Sequence, residues 1–133
     1  MRARAGLVTP APDGPHVEQV GQGVARQVVR LLRDAGVEDP AGILGRLPEV
    51  AEEPGFLAYV VFEGRTATGA AVVELDRWDQ DGATYLGEAL TPQSPPGTAA
   101  ALVVRALHDV ASAGHDWLSV SRSTADLGPL GFG

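Results

Sequence analysis

At 133 residues, 44% of them hydrophobic and 20% charged, the chain has the length of one domain, which would bury roughly 65–70% of the surface its unfolded form exposes. It has no cysteine, which excludes disulfides, thiolate metal sites and cysteine nucleophiles; a net charge of −7, with ten scattered arginines and no lysine, argues against nucleic acid as a partner. No apolar run approaches the ~20 residues of a membrane span, and Pro10, Pro12 and Pro15 interrupt any signal-peptide core, so the cytoplasm is the expected compartment.

Residues 1–15 are proline-rich and aperiodic, which predicts a flexible N-terminal arm or an edge segment ahead of a single domain over residues 16–133. From His16 the pattern turns helical, with Val17, Val20, Val24, Val28, Leu31 and Ala35 at spacings of three and four, and Gly36 as a stop. Gly21 and Gly23 weaken the first turns. A second, shorter helix is expected from Asp39 as N-cap and Pro40 at the first helical position; it carries Ile43, Leu44 and Leu47 and is disturbed at Pro48. After Gly55 the period becomes strand-like. "FLAYVVFE" (Phe56 to Glu63) is almost continuously apolar, as a strand covered on both faces would be. "GAAVVELD" (Gly69 to Asp76) and "ATYLGEALT" (Ala83 to Thr91) follow across short loops, which predicts an antiparallel meander. An elbow, "PQSPPG", then leads into a helix with Ala99, Leu102, Val103, Ala106, Leu107, Val110 and Ala113 on one face, stopped by Gly114. The next strand, "DWLSVS" (Asp116 to Ser121), is reached by a crossover long enough to require parallel pairing with its predecessor. The tail "RSTADLGPLGFG" reads as irregular. The fold class is α/β, with a mixed sheet that is antiparallel first and parallel at its end.

His16, His108 and His115 have no metal-ligand spacing and no accompanying cluster, so they read as surface or capping residues, and no metal is expected. Carboxylates inside strands are more informative, because burying one requires partners and such groups serve as bases. Glu74 and Asp76 share one face by period two and read as solvent-facing. Glu88 shares its face with Leu86 and Leu90, and both a buried base and an exposed carboxylate fit that position. At the elbow, Gly97, Thr98, Ala99 and Ala100 form a helix start with almost no side chains. Its free N–H groups and the helix dipole suit an anion.

The element order, together with "GFLAYVVFEGRTATGAAVV", "ATYLGEALTP", "HDVASAGHDWLSVS" and the final "GF", resembles the GNAT family of acyl-CoA-dependent N-acyltransferases over about Val17 to Phe132. The family's pyrophosphate turn, Arg/Gln-x-x-Gly-x-Gly/Ala, matches "SPPGTA". Gly97 and Ala99 are present, Ser94 stands for the leading Arg/Gln, and Pro95 and Pro96 have no N–H to offer. The family's helix carrying a tyrosine general acid, and its C-terminal hairpin, have no counterpart in the tail.

The resemblance implies a GNAT-like sheet and an N-acetyltransferase acting on a small-molecule or protein amine with acetyl-CoA or another acyl-CoA. Pantetheine would pair near Leu90 and Thr91, and Gly97, Thr98, Ala99 and Ala100 would hold the pyrophosphate. Glu88 would deprotonate the amine directly or through water, and a backbone N–H of its strand would polarise the thioester carbonyl. The departures imply the alternative, a GNAT-fold binding or assembly module that has lost CoA. A sheet ending at "DWLSVS" would also leave an open edge through which a homo-oligomer would form, with "LGPLGF" packed on a partner or back on its own sheet.

Overall fold

The structure is a computed structural model that describes residues 2–4, 15–21, 24–47, 55–75, 82–130 and 132. In chain order the elements are β1 (Arg2–Arg4), β2 (Val17–Gln19), α1 (Ala25–Asp34), α2 (Pro40–Leu44), β3 (Phe56–Glu63), β4 (Thr66–Leu75), β5 (Gly82–Leu90), α3 (Thr98–Ser112) and β6 (Trp117–Val120), followed by a 3₁₀ turn at Gly128–Leu130. The strands form one six-stranded sheet in the order β1-β6-β5-β4-β3-β2. Every pairing is antiparallel except β5 with β6, which is parallel from Gly82↔Trp117 to Tyr85↔Val120.

Alternation along β3 explains the layering. Leu57, Tyr59 and Val61 point to one face, where they meet Leu102, Val103, Ala106 and Leu107 of α3. Phe56, Ala58 and Val60 point to the other, against Val28 and Leu32 of α1 and Ile43 of α2. Both faces are therefore covered, which is why the strand is apolar throughout. At roughly 1.5–3 kcal/mol for each fully buried large aliphatic side chain, these two layers supply the main favourable term in folding. Asp39 caps α2 as its sequence predicts, accepting from the Gly42 N–H at 3.2 Å, and Pro40 occupies the first turn.

Two departures matter for the site. The helix expected from His16 begins only at Ala25, because Val17–Gln19 pair with β3 as strand β2. The glycines at 21 and 23 penalise a helix there by about 1 kcal/mol each. Without β2 the edge of a strand buried on both faces would stand open. The second departure is at the other edge. Arg2–Arg4 pair with β6 along Trp117–Ser119, so the edge expected to lie open is covered by the chain's own N-terminal residues. The tail folds back: Leu127 and Phe132 are buried in the layer under α3. The second helix is shorter than expected: it ends at Leu44 with Gly45 as its C-cap, before Leu47; Pro48 and the Asp76 side chain fall outside the described residues.

Candidate active site

Two bulges shape the sheet around the elbow. In β4 the register shifts between Val61↔Gly69 and Phe62↔Ala67, which leaves Thr68 as the extra residue. Its carbonyl accepts from the Thr91 N–H at 3.2 Å, the Thr91 hydroxyl at 3.0 Å and the Ser94 hydroxyl at 2.6 Å. Ser94 Oγ also accepts from the Thr91 N–H at 3.0 Å, and the Ser94 N–H donates to the Thr91 carbonyl at 3.0 Å. Ser94 is thus a clamp that fastens the elbow to β4. Pro95 and Pro96 stiffen the next step, and Gly97 turns the chain into α3 with φ of +83°, a left-handed conformation that favours glycine.

The helix start does only part of what its sequence suggests. Thr98 is buried, and both its N–H and its hydroxyl donate to the Pro95 carbonyl, at 3.2 and 2.6 Å. Thr98 therefore faces inward and has no donor for a ligand. The N–H groups of Gly97, Ala99 and Ala100 have no backbone acceptor among the described residues. These three N–H groups lie at the positive end of a 15-residue helix, where an anion would be favoured. Thr91 is likewise used internally, since its N–H, hydroxyl and carbonyl all serve the clamp, whereas Leu90 is exposed.

The second bulge lies in β5, where Val72 pairs with Gly87 and Val73 with Tyr85, which makes Leu86 the extra residue. Gly87 has φ of +128°, which favours glycine, and a Cβ there would lie 2.7 Å from Nε of the exposed Arg122 side chain, which would have to shift. Parallel pairing with β6 ends beside the bulge, at Tyr85↔Val120 and a 2.8 Å bond from the Ser121 N–H to the Tyr85 carbonyl. From Leu86 to Leu90 no strand covers that side of β5 among the described residues.

The extra residue also changes the company Glu88 keeps. Leu86 packs under α1 and α2, while Glu88 sits on the α3 face beside Tyr85, so the expected pairing of Glu88 with Leu86 does not occur. Glu88 is 9% exposed and accepts from four donors. Tyr85 Oη donates to Oε2 at 2.7 Å, and Ser123 Oγ reaches both oxygens at 2.9 and 3.0 Å. The Thr124 N–H and hydroxyl reach Oε1 at 2.6 and 3.0 Å. These bonds offset the desolvation of a nearly buried carboxylate. Glu88, Arg122, Ser123 and Thr124 line a cavity of about 130 Å³. Burial, then the Glu88 charge and the hydrogen bond to it, raise the Tyr85 phenol well above its ordinary value near 10.

Tyr59, the chain's other tyrosine, lies in the layer under α3. Its hydroxyl faces the Asp109 carboxylate without closing a hydrogen bond, and burial raises its phenol further than that charge does. Arg105 holds Asp109 at 3.1 Å and donates to the Val17 carbonyl at 2.8 Å, tying α3 to β2. Glu74 is exposed, His16 precedes β2 on the surface, and no group of three His, Asp or Glu among the described residues could hold a metal. Sequence reasoning missed Tyr85, Ser123 and Thr124. The one signal was Gly87 inside an apolar strand, a mark of a bulge that puts residues three apart on one face.

A sheet antiparallel over β2 to β5, a bulged β5 that parts from a parallel β6, and a glycine elbow into the crossover helix together define a GNAT-like fold. Solved structures of that fold superpose on the chain. An aminoglycoside acetyltransferase from an uncultured soil metagenomic sample, in complex with trehalose, has a TM-score of 0.63 at 13% identity, over 90% of this chain and 84% of that one. An aminoglycoside N-acetyltransferase in complex with CoA has a TM-score of 0.65 at 14% identity, over 89% and 91%. A protein from Novosphingobium aromaticivorans, described as an acetyltransferase of the GNAT family, has a TM-score of 0.59 at 18% identity, over 88% and 49%. No protein-family model and no curated protein sequence matches the chain. At such identities the likeness is one of fold.

Proposed function

We propose that the protein is an acyl-CoA-dependent N-acetyltransferase acting on a small-molecule amine. The observation that carries this reading is the side of β5 from Leu86 to Leu90 that no strand pairs with among the described residues, running toward the three unpaired N–H groups at Gly97, Ala99 and Ala100. An extended, amide-bearing arm ending in a pyrophosphate fits that arrangement. The arm would pair with the strand edge at Leu90, and the pyrophosphate would meet the helix dipole. Neither Thr91 nor Thr98 has a donor left for this ligand, so their part is to hold the elbow. A backbone N–H near Gly87, where the bulge interrupts the ladder, would polarise the thioester carbonyl. Glu88 would take the amine's proton, and the cavity beside it would admit an amine-bearing head group. Fold neighbours bound to CoA, trehalose and sisomicin favour a soluble donor and a polar small-molecule acceptor.

The alternative is a GNAT-fold binding or assembly module that has lost CoA, and one observation favours it. Pro95 and Pro96 remove two N–H groups from the elbow, and Ser94 is committed to Thr68. Release of the CoA thiol from acetyl-CoA in the presence of primary amines separates the two. For an enzyme, Glu88→Gln is expected to keep acetyl-CoA binding and to lower transfer by about 10²–10⁴-fold. Amine-dependent thiol release unchanged by Glu88→Gln would remove Glu88 from the chemistry, and none from wild type would favour the module.

A further inference from the structure

We propose that Ser123 is the hydroxyl through which Glu88 receives the proton of the attacking amine, an inference that rests on the acyltransferase reading above. A carboxylate has about four acceptor positions, and here four donors reach them. An amine therefore cannot approach either oxygen without displacing a donor, and its proton must arrive through one already in place. Oε1 is crowded by the Thr124 N–H, the Thr124 hydroxyl and the Ser123 hydroxyl. Oε2 holds two donors, Tyr85 and Ser123. Tyr85 is fully buried, so it has no access to a substrate; of the two hydroxyls that line the cavity, Ser123 reaches both carboxylate oxygens and Thr124 only the crowded Oε1.

The inventory of Ser123 Oγ fits the task. Its one proton points to Glu88, and one lone pair accepts from the Ala125 N–H at 3.1 Å. The second lone pair is left for an N–H of the substrate. As the amine nitrogen attacks the thioester carbon, the new C–N bond forms and an N–H bond breaks. The released proton passes to Ser123 Oγ while the Ser123 proton passes to Oε2 of Glu88. The C–S bond then breaks, the thiolate leaves, and the proton held by Glu88 returns by the same hydroxyl to protonate it. Serine and carboxylate end in their starting states, so no further reactant is needed.

The test uses the full chain with acetyl-CoA as donor and sisomicin, spermidine and tyramine as probe amines, read by release of the CoA thiol. Ser123→Ala is expected to lower kcat roughly 100-fold with the KM for acetyl-CoA unchanged. The deficit should shrink as pH rises and hydroxide replaces the relay. Ser123→Thr should restore most of the rate. Two readouts independent of turnover guard against a structural cause. The thermal shift produced by acetyl-CoA, and the exchange protection of the Thr124 amide, should be the same in Ser123→Ala as in wild type. Wild-type kcat and pH profile in Ser123→Ala would overturn the relay while leaving the acyltransferase reading intact. Loss of Thr124 protection together with activity would also overturn it, because Ser123 would then be only a structural support. Failure of wild type to release thiol with any of the three amines would instead count against the acyltransferase reading itself.

Discussion

Leu86, the extra residue of the β5 bulge, decides which face of the sheet Glu88 occupies. A strict period of two would seat the carboxylate under α1 and α2 beside Leu86. The inserted residue turns it toward Tyr85 and the tail instead. The position of Glu88 inside a strand was legible in the sequence. Its partners were not, because a bulge breaks the periodicity by which faces are read. The two tyrosines give a test at this scale. Both phenols are raised by burial above a value near 10, so in the folded chain they stay protonated when an unfolded chain would ionise. Below pH 10 both states hold these protons and stability is unaffected. Above it the unfolded state holds fewer, and stability falls as pH rises, by about 1.4 kcal/mol per pH unit for each tyrosine. Denaturant titrations from pH 9 to 12 are expected to show this loss, with phenolate absorbance appearing only as the chain unfolds. Phenolate at pH 10 in the folded chain would contradict the burial described.

The elbow between β5 and α3 is held by elements remote in sequence. Its anchor, the Thr68 carbonyl, is exposed by the β4 bulge and takes hydroxyls from Thr91 and Ser94. The helix and its glycine start were legible from spacing and from the small residues at Gly97 to Ala100. The clamp was not, because it depends on a second irregularity twenty-six residues away from Ser94. Ser94→Ala is expected to cost about 1–2 kcal/mol in urea unfolding and to weaken acetyl-CoA binding by loosening the turn. Ser94→Arg, which would place at this position the residue of the GNAT pyrophosphate turn, breaks the same clamp, so it is expected to weaken binding rather than strengthen it. Equal stability of Ser94→Ala and wild type would show the clamp to be incidental. The left-handed Gly97 makes any side chain there costly by about 1–2 kcal/mol, which leaves Ala100, half-exposed on the first turn of α3, as the cleaner place for a charge.

Over the whole molecule, the order of two helices, a three-stranded meander and a parallel strand after a crossover helix followed from period and punctuation. The two outer strands did not. β1 and β2 are three residues each, too short for a period to register; β2 covers the edge of β3, a strand buried on both faces, and β1 covers the edge of β6. Ala3 is buried opposite Leu118. Ala3→Asp is expected to detach β1 and expose the β6 edge, seen as greater concentration-dependent association in light scattering than for wild type. Unchanged scattering would mean that β1 is not what protects the edge. Calorimetric titration with acetyl-CoA tests most directly the proposal that the strand-free side of β5 and the start of α3 form one acyl-CoA site. One-to-one binding is expected with a Kd of roughly 1 μM to 1 mM, abolished in Ala100→Glu, where a carboxylate would meet the pyrophosphate at the helix start, with the unfolding midpoint little changed. No heat of binding from wild type at millimolar acetyl-CoA, or undiminished binding by Ala100→Glu, would contradict it.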